Sequence, residues 1–177
     1  MTHSAAPATD WFKYTGATGQ GLTEARIVDA QAAHNPTERH ADGSRTITFE
    51  RTGRTVTYHP ATPDDVTAIR DANRAKIDGN DRLGKAVSAA LQDAGVQMAR
   101  WMRPGGSGVH VHTGGSWVKV FWWYATEKEQ RTAPAPWIEE NNGGVRVEVA
   151  AALLHAGFRF TDDGADFELT YDNNRHV

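Results

Sequence analysis

An α+β domain is predicted, with a mainly antiparallel sheet of hairpins and about three helices packed on one face. Three observations carry that prediction. Apolar residues alternate with polar ones in paired runs around short turns rich in Gly and Asp. Other stretches place apolar residues at helical spacing. Hydrophobic residues make up 39% of the 177 residues, enough to bury a core.

The elements follow in order. Residues 1–20 contain no sustained pattern and read as a flexible N-terminal tail, leaving 21–177 as a single compact domain. Thr23 to His34 reads as a short helix stopped by Asn35-Pro36. Thr46–Phe49 and Thr55–Tyr58 alternate with period two around Arg51–Arg54, so Ile47, Phe49, Val56 and Tyr58 share one face of a hairpin. Thr62-Pro63-Asp64-Asp65 is a helix start: Thr62 caps, Pro63 suits the first turn, and the carboxylates meet the positive end of the dipole. Gly79-Asn80 is expected to end that helix. A second helix then carries Leu83, Ala86, Val87, Ala90, Leu91 and Ala94, and Gly95 closes it.

Val96–Met102 is expected to be a strand. Val109–His112 and Trp117–Tyr124 form a second hairpin around Thr113–Ser116. A Pro-rich connector at 132–136 and the break Asn141–Gly144 mark a subdivision near 132–144. Val145–Ala156 is a third helix closed by Gly157, and Phe158–Tyr171 folds back on itself around Asp162-Asp163-Gly164. The stretch Val87–Val96 echoes Val149–Phe158, which suggests a duplicated helix–hairpin unit.

Composition excludes several functions. Cysteine is absent, so there is no disulfide framework, thiol nucleophile or Cys-ligated metal. The net charge of -3 does not suit a polycationic nucleic-acid coat. No apolar run approaches the roughly 20 residues of a membrane span, and the N-terminus lacks a secretory pattern, so a cytoplasmic location is expected. Gly79–Ala86 nearly spells a phosphate-binding loop, but Ala86 lacks the hydroxyl such a loop needs for Mg²⁺. His110 and His112 share a strand face, yet no third ligand follows at metal-site spacing, so no metal or cofactor is expected.

The unusual feature is aromatic. Five of the six Trp fall between 101 and 137. With Thr113–Ser116 as the turn, His112 would oppose Trp117 and His110 would oppose Lys119. One face then carries His110, His112, Trp117, Lys119, Phe121 and Trp123, and the other carries valines. A strand buried on both sides would account for this. So would a surface that meets a partner. The expectation is a non-enzymatic binding or adaptor protein that meets a protein partner through Trp117, Lys119, Phe121, Trp123, Arg100 and Arg103, with nucleic acid as a further candidate partner and no membrane.

The alternative is a small RNA-processing enzyme. The run from Leu91 through Ala94-Gly95 and Gly106-Ser107 to the His-bearing strand resembles toxins of the HicA type. That resemblance implies a catalytic histidine, His110 or His112, acting as general acid/base on RNA. This chain departs from the pattern by inserting Gly108-Val109 between Ser107 and His110.

Overall fold

The structure, a computed structural model, describes residues 10–16, 19–100, 103, 105–132 and 144–176. The chain is α+β, with two antiparallel sheets and four α-helices among the described residues. It divides into two compact units, residues 1–73 and 74–177, and the division falls inside the longest helix.

In the first unit, β1 (Trp11–Gly16), β2 (Gly19–Glu24), α1 (Ala25–His34), β3 (Thr37–Arg39), β4 (Arg45–Phe49) and β5 (Arg54–Pro60) precede α2 (Pro63–Asp93). The sheet order is β2-β1-β5-β4-β3. Residues 11–16 and 19–20, where the sequence suggested a tail, lie in strands. Glycine dilutes the apolar alternation there, and Gly21 explains part of that dilution. It pairs with Tyr14, and a Cβ at Gly21 would lie 2.4 Å from a Tyr14 ring carbon. β1 then joins β5 through Phe12↔Pro60, a long-range pairing that no local pattern records.

The 45–60 hairpin forms as expected. Ile47 sits opposite Val56 and both are buried, with Phe12, Val28 and Tyr58 completing the core. The other face is a threonine ladder: Thr46 and Thr57 hydroxyls lie 3.1 Å apart, as do those of Thr48 and Thr55. At the α2 start, Thr62 Oγ1 accepts from the Asp65 N–H at 3.1 Å while Asp65 Oδ2 accepts from the Thr62 N–H at 2.9 Å. This is a reciprocal capping box.

In the second unit, the remainder of α2 is followed by β6 (Gly108–Thr113), β7 (Val118–Trp123), α3 (Glu127–Thr132), α4 (Gly144–His155), β8 (Thr161–Asp162) and β9 (Phe167–Leu169). The sheet order is β6-β7-β9-β8. Leu83, Val87 and Leu91 of α2 and Val149 and Leu153 of α4 pack with Val109, Val118, Val120, Phe167 and Leu169 of the sheet. The three expected hairpins are therefore split between two sheets. The strand expected at 96–102 reduces to one parallel bridge, Met98↔Val109, with Trp101 and Met102 outside the described residues. Most of the 132–144 segment also lies outside them.

The break expected at Gly79-Asn80 does not occur, and α2 runs unbroken for 31 residues. An interior glycine costs a helix only about 1 kcal/mol relative to Ala. Here it admits a neighbour: a Cβ at Gly79 would lie 2.5 Å from the Tyr171 ring, and one at Gly84 would lie 2.5 Å from Thr113 Oγ1. The glycines of the phosphate-loop look-alike are thus contact points along a helix.

α2 and α4 end in the same way. The Val96 N–H donates to Leu91 O at 3.0 Å, and the Phe158 N–H donates to Leu153 O at 2.9 Å. Gly95 and Gly157 take φ of 78° and 82°, the left-handed conformation of a Schellman cap. The strands that follow differ in length, six residues each in β6 and β7 against two and three in β8 and β9.

Candidate functional site

The candidate site is the face of β6–β7 opposite the one packed against α2 and α4. Val109, Val118 and Val120 point into the core and are fully buried. Period two then sends His110, His112, Lys119, Phe121 and Trp123 to the other side. His112 is exposed; His110, Trp117, Lys119, Phe121 and Trp123 are half-buried.

The turn is tighter than the sequence suggested. The Gly114 N–H donates to Trp117 O at 2.8 Å, which puts Gly115 and Ser116 at the corner and makes Thr113 face Val118. His112 therefore opposes Lys119, and His110 opposes Phe121. The register moves by two residues, so every side chain keeps its expected face. Gly114 also makes room for Trp117, because a Cβ there would come within 2.7 Å of the indole.

The rings form a continuous row. His112 lies 5.4 Å from Trp117 and 6.1 Å from His110, centroid to centroid. His110 in turn meets Phe121 edge-on at 5.4 Å and Trp123 at 6.0 Å. The Lys119 ammonium stands 5.5 Å from the Trp117 ring. Burial, and then the neighbouring His112, hold the His110 imidazole below its ordinary pKa of 6.5.

The electrostatics depend on residues the sequence reading missed. Lys119 Nζ donates to Asp166 Oδ2 at 2.8 Å and lies 3.7 Å from Glu168 Oε2. The Asp166 hydrogen bond, ahead of the other carboxylates nearby, raises the Lys119 pKa. Glu168 is the cross-strand partner of Lys119 in β9, and Asp166 follows the Asp162-Asp163-Gly164 turn. The alternation of Glu168 with Phe167 and Leu169 was a usable signal for its face, but the pairing of β9 with β7 was not.

Arg100 and Arg103 are exposed in the loop that precedes β6, outside the aromatic row. Trp101 and Trp137 lie outside the described residues. Trp122 is on the core side, half-buried, and its indole N–H has no hydrogen-bond partner among the described residues. Among the described residues no group of three His, Asp or Glu side chains is placed to hold a metal ion. No described helix is long and apolar enough to cross a membrane. Compared with known proteins, the chain matches no family model, no curated protein sequence and no solved structure.

Proposed function

We propose that this is a non-enzymatic binding protein that engages a protein partner through the aromatic face of the β6–β7 hairpin. The observation that carries this reading is the incomplete burial of six adjacent side chains, His110, His112, Trp117, Lys119, Phe121 and Trp123, on the side of the sheet opposite a fully packed core. Large aromatics left partly in water forgo part of the roughly 1.5–3 kcal/mol that full burial of each contributes, and a partner would recover it. Lys119 supports a protein partner over a phosphate backbone, because Asp166 and Glu168 already compensate its charge. Among the described residues, the same pairing leaves the alternative, RNA cleavage by His110 or His112, without an unengaged cation on this face to stabilise a phosphorane-like charge.

The test is the double variant Trp117→Ser/Lys119→Ser in affinity capture from the native host, with protein and RNA recovered separately. Loss of a protein partner at an almost unchanged melting temperature is the expected result. Recovery of the same partner by the variant, or recovery of RNA alone, refutes the reading.

A further inference from the structure

Among the described residues β6 is an edge strand, and only its first half is covered. Val109 uses its outward backbone groups within the chain: its N–H donates to Gln97 O at 2.8 Å, and its C=O accepts from the Ala99 N–H at 2.9 Å. Gln97–Ala99 thus lies beside β6 as one short parallel rung. The chain then turns away, with the Arg100 N–H donating to Gly106 O at 2.7 Å.

Among the described residues the next rungs are empty. His110, His112 and Gly114 direct their backbone groups to β7, so Val111 and Thr113 direct theirs outward, like Val109. Among the described residues nothing bonds to the N–H or C=O of either. An edge of this kind is normally blunted by charge, proline or a covering element. Gly108-Val109-His110-Val111-His112-Thr113 contains no proline and no Lys, Arg, Asp or Glu. A groove of about 530 Å³ runs along this edge, lined by Val111 and Thr113 on one side and by Asp81, Lys85, Ser88 and Gln92 of α2 on the other. Among the described residues no side chain engages Asp81, Lys85 or Gln92.

We propose that the Val111–Thr113 edge is a strand-addition site for an extended peptide segment of a partner protein. This rests on the reading that the hairpin meets a protein, and it specifies how. The occupant would continue the line of Gln97–Ala99, exchanging main-chain hydrogen bonds with Val111 and Thr113. Its side chains would alternate. Those on one side meet the His110–His112 row and should be apolar or aromatic. Those on the other meet Asp81, Lys85 and Gln92 and should be neutral hydrogen-bonding groups, because the two lining charges oppose each other.

The experiment uses the full chain. A random-sequence peptide library is selected against it, and amide exchange is measured with one selected peptide synthesised free of its carrier. The expected result is slowed exchange at the Val111 and Thr113 amides, with His110 and His112 unchanged. Val111→Pro removes only an outward donor, and proline is tolerated at such an edge. It should weaken the peptide on the order of tenfold. Thr113→Pro, at the strand end, is the second variant should the first misfold, and the exchange measurement needs neither. A peptide that perturbs Trp117 but leaves Val111 and Thr113 unprotected overturns the strand-addition site and leaves the aromatic-face reading standing. Failure to select any peptide overturns both. Concentration-dependent protection of Val111 and Thr113 without peptide assigns the edge to a second copy of the chain and overturns the proposed occupant.

Discussion

Asn80 and Tyr171, 91 residues apart in sequence, are joined by a hydrogen bond of 2.9 Å from the Tyr171 N–H to Asn80 Oδ1. The Asn80 amide also donates to Gly115 O at 3.2 Å, and the side chain is almost fully buried. One residue in mid-helix thereby satisfies the backbone of the β6–β7 turn and of the segment after β9. Replacing it by leucine strands both groups. Asn80→Leu should cost about 2–6 kcal/mol, at roughly 1–3 kcal/mol for each of the two groups left unpaired. A denaturant-derived loss under half of that range would show that water takes over these bonds.

Gly79 sets up the opposite of the usual helix rule. Alanine is the better helix former by about 1 kcal/mol. Here its methyl would meet the Tyr171 ring at 2.5 Å, at ring atoms close to the backbone. Gly79→Ala should therefore destabilise by about 1–3 kcal/mol, as overpacking does. A raised melting temperature would refute the contact.

Leu91 and Leu153 are both fully buried one turn before a Schellman cap. Leu91→Ala and Leu153→Ala should each cost about 2–5 kcal/mol. Chemical denaturation reads the effect directly, and near-neutral values for both would contradict the shared core between α2, α4 and the sheet.

Asp65 makes the first unit sensitive to acid. The Lys13 ammonium at 2.7 Å, followed by the Thr62 backbone and hydroxyl bonds, holds its carboxyl at about 2, against 3.8 ordinarily. The folded pKa is depressed, so this contribution is fully present above the ordinary value and is lost as pH falls from 3.8 toward 2. Asp65→Asn should be less stable than wild type at neutral pH, and the gap should close across that window in acid-unfolding curves. A gap independent of pH would assign the effect to packing.

His110 has its own window. Burial disfavours the imidazolium in the fold, so the unfolded chain takes up the proton first as pH falls below 6.5. Stability from this residue is present at higher pH and declines as pH falls through 6.5 toward the lower folded value. His110→Phe should flatten the dependence between neutral pH and that lower value, measured as melting temperature against pH. An unchanged slope would move the titration to another group.

The sequence by itself determined the local features. Thr62, Pro63 and Asp65 mark the helix start, Gly95 and Gly157 mark the helix ends, and period two separates Val118 and Val120 from Lys119, Phe121 and Trp123. Such signals depend on neighbours a few residues away, so they survive even when the pairing register is two residues off, as it was for His112 and Lys119. The tertiary structure decided everything that rests on distant pairing. It divided the hairpins between two sheets and drew residues 11–16 into the first. It kept α2 continuous through Gly79, where the missing side chain makes room for the Tyr171 ring. It brought Asp166 and Glu168 to Lys119, and among the described residues it left the outer edge of Val111–Thr113 unpaired. Strand order and ion pairing are contacts across long stretches of chain. Their free energy comes from burial and hydrogen bonds formed only on assembly, so no short window of residues encodes them.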